Sequence, residues 1–233
     1  MKLKNLLMSL FILSLASSSL LAQDMEGAST SIERPKDVDV DFQISYFESR
    51  PWIKEFHYVV VVNKANSGKD SQTIKVYEYE KLILSGSVST GRDQFESAGE
   101  HHSKKDSWTV TPTGYYTPKF LDKDHKSSAY GGKWSKIFGG IKMPFAIFFN
   151  GGIAIHQAPK GTESALGKKA SGGCIRLPGE IASDIFARLL ETQDSRIPNF
   201  NVDGTAVVNS AGSYAYSNTG FSALIIVKNK ITE

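Results

Sequence analysis

The chain has 233 residues, 22% of them charged and 40% hydrophobic, enough apolar content for one well-packed domain and too much for a disordered chain. A formal net charge of +3, without a concentrated basic patch, argues against a nucleic-acid partner or an electrostatic hold on anionic membrane. A single cysteine, Cys174, excludes an intramolecular disulfide framework.

At the amino terminus Lys2 and Lys4 precede an apolar run over residues 6–15, and mostly small residues then lead to Ala22 and Gln23. This pattern predicts a secretory signal peptide over 1–22, cleaved after Ala22. The apolar run is shorter than the roughly 20 residues of a spanning helix, so no stable membrane anchor is expected. The mature protein is expected in the periplasm or cell wall. Residues 23–55 mix acids with serine and show little apolar periodicity, which predicts an exposed lead-in, held in part through Phe42, Ile44, Tyr46 and Phe47.

From Phe56 the character changes. Tyr58 to Val62 is a β-branched run, Thr73 to Tyr79 alternates, and Leu82 to Val88 reads as its partner strand across a tight Glu80-Lys81 connection. Residues 91–107 are charged and aperiodic. Adjacent His101 and His102 lack the further ligands of a tetrahedral metal set, so a solvated loop is expected there. Residues 120–142 form a second irregular stretch in which glycines flank Trp134 and Phe138, aromatics suited either to a substrate-cleft wall or to plugging the core edge. Phe145 to Phe149 and Ile153 to His156 read as a hairpin about an Asn150-Gly151 turn. Beyond Pro178, Ile181, Ile185, Phe186, Leu189 and Leu190 recur at helical spacing, with Glu180 at the favourable end of the helix dipole. Residues 196–233 hold short apolar runs at 205–208, 214–216 and 223–227, expected to complete the sheets or extend an edge.

The chemistry concentrates at Ser171-Gly172-Gly173-Cys174-Ile175-Arg176-Leu177, with His156 upstream at the end of the hairpin. A thiol attacks carbonyls as its thiolate, and an imidazole that takes its proton can later protonate the leaving group. Small residues before the nucleophile let the backbone turn and aim N–H groups at a developing oxyanion. The alternative is an inert cysteine packed as a small hydrophobe.

Ile153-Ala154-Ile155-His156 followed by the Ser171 to Leu177 run resembles the signature of the L,D-transpeptidase catalytic domain family. Thr73 to Glu78, Val88-Ser89-Thr90-Gly91, Thr111-Pro112-Thr113-Gly114-Tyr115-Tyr116 and Met143-Pro144-Phe145 are similar to further ordered segments of that family, so the likeness covers residues 56–195. One departure stands out: Gly172 occupies a position where the family usually carries a second histidine.

The resemblance implies a mainly-β sandwich with one principal helix after the cysteine. It implies an exported enzyme acting on peptidoglycan stem tetrapeptides: Cys174 as nucleophile, His156 as base, and the backbone N–H groups of Gly173 and Cys174 as the oxyanion hole. Ser171, Gly172, Arg176 and Trp134 are the candidates for substrate binding or support of the motif. The acyl group would pass to an amine on another stem peptide, a protein lysine or a free D-amino acid, with no metal or organic cofactor. The alternatives are an L,D-carboxypeptidase, in which water resolves the same thioester, and a non-catalytic wall-binding scaffold.

Overall fold

The computed structural model describes residues 32–131 and 140–233. The expected signal peptide, Trp134 and Phe138 lie outside the described residues.

Two sheets form the body. Their strands are β1 (Tyr58–Asn63), β2 (Thr73–Glu78), β3 (Lys81–Ser87), β4 (Gly114–Tyr116), β5 (Phe120–Asp122), β6 (Ala146–Asn150), β7 (Ile153–Gln157), β8 (Ile175–Leu177) and β9 (Ala223–Lys228). The first sheet runs β3-β2-β1-β9-β4 and the second β8-β7-β6-β5. Neighbours are antiparallel except β1 with β9 and β7 with β8. The main helix, α2 (Gly179–Leu190), follows β8; a single turn, α1 (Tyr46–Ser49), lies in the lead-in.

Side chains alternate across a strand, so each sheet has one face for the core. Val60, Val62, Ile74, Val76, Ile225 and Val227 meet Ile147, Phe149, Ile155, Ile175 and Leu177 of the second sheet, with Ala182, Ile185, Phe186 and Leu189 of α2. Burying such side chains stabilises the fold by about 1.5–3 kcal/mol each before conformational entropy is counted. The helical stripe holds except at Leu190, which is 48% exposed.

The lead-in is structural. Val59, Val61, Tyr77, Leu224 and Ile226, on the opposite face of the first sheet, are covered by Val40, Phe42, Phe47, Trp52, Ile53 and Phe56. Phe42 and Phe47 pack as expected, whereas Ile44 is exposed and Trp52 and Ile53 are buried. The carboxylate of Asp37 adds a polar tie, accepting from the Lys64 ammonium at 2.7 Å while Lys64 also donates to Thr111 O at 2.8 Å.

The end of the chain is central too. Of the two roles expected for the 223–227 run, completing a sheet or extending an edge, the edge is excluded: β9 pairs with β1 on one side and β4 on the other. The other two expected strands reduce to isolated bridges and a short pairing of Ile197–Pro198 with Tyr216–Ser217. Two turns also move. The β2–β3 loop is Tyr79-Glu80, with Tyr79 at φ 43°, and the β6–β7 loop is Gly151-Gly152, because Glu78 pairs with Lys81 and Asn150 with Ile153.

Candidate active site

On β7, Ile155 faces the core and Ala154 and His156 face outward; on β8, Ile175 and Leu177 face the core and Arg176 faces outward. His156 and Arg176 are direct partners across the parallel pair. Cys174, one residue before β8, packs on the same outer face against a patch of Met143, Ala146, Phe148 and Ala154. It is thus a diagonal neighbour of His156 across adjacent strands. All three line a cavity of about 740 Å³ on this face.

The segments that follow β3 and precede β4 form a cradle for the cysteine loop. Ser89 exchanges both backbone hydrogen bonds with Arg176, and the N–H groups of Ala170 and Ser171 donate to Thr90 O at 2.9 Å. Thr111 Oγ1 donates to Gly173 O at 2.6 Å and accepts from Gly91 N–H at 2.9 Å. Gly91 must lack a side chain, since a Cβ there would run into the backbone of Thr109 and Thr111. Gly173 holds φ 125°, open to glycine and costly for other residues.

Ser171 Oγ donates to Cys174 O and accepts the Gly173 N–H at 3.1 Å. The Gly173 amide, expected with that of Cys174 as an oxyanion donor, is therefore turned into the loop in this structure. Among the described residues the Cys174 N–H makes no hydrogen bond. Cys174 Sγ accepts from Ala154 N–H at 3.5 Å and lies 3.8 Å from Gly152 O.

The profile of the L,D-transpeptidase catalytic domain matches residues 57–208. The chain belongs to this family. Solved structures similar to it include an L,D-transpeptidase from Xylanimonas cellulosilytica (16% identity, TM-score 0.46, covering 74% of this chain and 61% of that one). Another is an L,D-transpeptidase from Mycobacterium smegmatis (16%, 0.44, 74% and 59%). L,D-transpeptidase 3 from Mycobacterium tuberculosis, with a faropenem-derived adduct, is a third (16%, 0.43, 75% and 61%). The chain thus spans about 60% of the length of these proteins. No curated protein matches it.

The departure at Gly172 has a steric reason in this L,D-transpeptidase domain. The Tyr130 ring covers Gly172, its hydroxyl donating to Gly172 O at 3.2 Å, and a Cβ at Gly172 would fall inside the phenol. Gly172 itself is not among the residues with positive φ, so its neighbour and not its backbone angle demands glycine.

Burial pushes the His156 pKa down to about 4, with Arg176 and His125 adding to the effect and the Gln157 carbonyl opposing it. His156 is 3% exposed, and its Nδ1–H donates to Gln157 O at 2.7 Å, which leaves Nε2 as the basic nitrogen. Burial pushes the Cys174 thiol up, against the pull of the Ala154 N–H and the Arg176 charge. The resting pair is thus neutral thiol and neutral imidazole. Arg176 makes one long contact, 3.4 Å to Ala170 O, and no carboxylate pairs with it among the described residues. Arg92, by contrast, is paired with buried Glu96 and donates to Ala170 O at 2.8 Å.

Several cavity residues carry no signal in the sequence. Tyr130, His125 and Arg92 come from separate segments with no shared spacing. The expected solvated loop around His101 and His102 lines the cavity as well, because buried Glu96 and the Phe95–Glu96 pairing with Ser107–Trp108 hold it down. Among the described residues no cluster of three ligating side chains could hold a metal ion.

Proposed function

We propose that this family member is an exported cysteine L,D-transpeptidase that acts on peptidoglycan stem tetrapeptides. The observation that carries the reading is the convergence of Cys174, His156 and Arg176 on one face of the second sheet, within one cavity, in a chain of this family. In the acylation step His156 Nε2 takes the Cys174 proton as sulfur attacks the carbonyl of the stem's third residue. The Cys174 N–H is the amide that would hold the oxyanion, and Ala154 N–H and Arg176 favour the thiolate. His156 returns the proton to the departing D-alanine amine, leaving a thioester on Cys174. An amine acceptor then attacks that thioester.

The guanidinium of Arg176, which meets no carboxylate among the described residues, supports a role toward a substrate carboxylate over one in bracing the loop, since its loop contact is the long one. Export rests on the pattern of residues 1–22. The family acts on peptidoglycan peptides, and no helix among the described residues is long and apolar enough to cross a membrane.

The test is incubation with tetrapeptide muropeptides and an amine, with mass spectrometry of protein and products. Wild type should gain an acyl mass on Cys174 and yield a new amide; Cys174→Ala should do neither while melting as wild type does. A carbapenem should label the same residue. Turnover persisting in Cys174→Ala would sink the covalent mechanism.

A further inference from the structure

Acylation by Cys174 and His156 leaves three imidazoles of the cavity unused, those of His101, His102 and His125. His101 lies 3.4 Å from Glu96, a carboxylate already paired with Arg92, so His125, with Asp122 to itself, is the one suited to a further role, and that role rests on the transpeptidase reading. His125 Nδ1 sits 2.9 Å from Asp122 Oδ2, and its ring packs edge-on against Phe148 with centroids 4.8 Å apart. Phe148 belongs to the patch on which Cys174 packs, and the His125 imidazole and the thiol line one cavity. A carboxylate on Nδ1 fixes both ring orientation and tautomer and leaves Nε2 to accept a proton, the arrangement used by acid–base histidines generally.

The two edges of the second sheet that flank the cavity differ. The second sheet places Arg176 on β8 at one edge and Asp122 and Phe120 on β5 at the other, roughly three strand spacings away. Arg92 and Arg176 meet at Ala170 O on the first side, which suits carboxylates and repels ammonium. On the second side Phe120 stacks on Phe148 with centroids 4.3 Å apart, and Asp122 is the carboxylate beside them. An aromatic floor next to a carboxylate attracts a cationic amine. Besides Asp122, the titratable and charged groups that share the cavity with His125 are His101, His102, Tyr130, His156, Cys174, Arg92 and Arg176.

We propose that Asp122–His125 is the acceptor-side acid–base pair, which takes the place of the second histidine that Gly172 and the overlying Tyr130 exclude. In this step His125 Nε2 first takes a proton from the bound ammonium and passes it to water, so that the neutral nitrogen bonds to the thioester carbonyl carbon and the carbon–sulfur bond breaks. The electron pair leaves with Cys174 as thiolate, and the second amine proton moves through His125 Nε2 to that thiolate. Asp122 steadies the transient imidazolium. His156 serves acylation and His125 serves aminolysis.

The experiment separates the two half-reactions. Wild type, His125→Gln and Asp122→Asn are given tetrapeptide muropeptide alone, to follow acyl-enzyme formation by intact mass. A free D-amino acid is then added to follow transfer. The expected result is acylation within about twofold of wild type and transfer slowed about 100-fold in His125→Gln, the size of one general-base contribution, with Asp122→Asn slowed in the same direction. Transfer at the wild-type rate in an acylated His125→Gln protein, or equal losses in both half-reactions in both variants, overturns the assignment. A wild-type chain that forms no acyl-enzyme overturns the transpeptidase reading itself and this pair's role with it.

Discussion

At Gly172 the constraint is a neighbour's phenol. Gly172→Ala should cost about 1–3 kcal/mol by overpacking against Tyr130, and adding Tyr130→Ala should recover part of that loss. Thermal denaturation of the two single variants and the double variant checks this; additive losses would show that the two residues do not compete for space. His156 makes a pH prediction. Its folded pKa of about 4 lies below an ordinary histidine value of about 6.5, so the unfolded chain binds the proton first as pH falls. Its contribution is whole above pH 6.5 and lost as pH drops through 4, about 3 kcal/mol in all. The difference in unfolding free energy between wild type and His156→Gln should therefore move by that amount in favour of the variant between pH 7 and pH 4. Asp37, Asp93 and Glu96, held below the usual carboxylate range by basic partners despite their burial, act in both proteins alike and cancel.

Among the elements, the lead-in departs furthest from its sequence pattern. Its apolar residues follow neither helical nor strand period, which predicts exposure; the sheet they cover supplies the order that the segment lacks. Lys64 is 1% exposed, and Asp37 neutralises it from that segment. Asp37→Ala would leave a buried cation unpaired, and should cost about 2–3 kcal/mol, less than a fully buried pair because Asp37 keeps 28% of its side-chain surface. Lys64 also holds the carbonyl of Thr111, whose hydroxyl holds Gly173, so the same substitution should slow labelling of Cys174 by a carbapenem. Chemical denaturation and labelling rate are the two measurements, and wild-type values in both would refute the tie.

For the molecule as a whole, the family match ends at residue 208, yet the sandwich closes with β9. Removing residues 222–233 takes out a strand flanked on both sides and uncovers both hydrophobic clusters at once. Such a chain should show no cooperative thermal transition by circular dichroism; a wild-type melt would mean β9 is dispensable.

The strands about Tyr58, Thr73 and Ile153, the α2 stripe and the Cys174–His156 constellation are legible in the sequence because each rests on local period or fixed spacing. Alternation even explains why His156 and Arg176 share a face. Other features join residues far apart in the chain: Tyr130 over Gly172, His125 beside the cysteine patch, the lead-in over the first sheet, and β9 between β1 and β4. Such contacts leave no period or spacing to read, since what selects each residue is the shape or charge of a surface that exists only once the sheets have packed. The sequence by itself pointed to the family and to the cysteine and histidine proposed for acyl transfer. Tertiary structure alone decided how the Gly173 amide is turned, what excludes a side chain at Gly172, and which further imidazoles share the cavity with His156, because each depends on packing between distant segments.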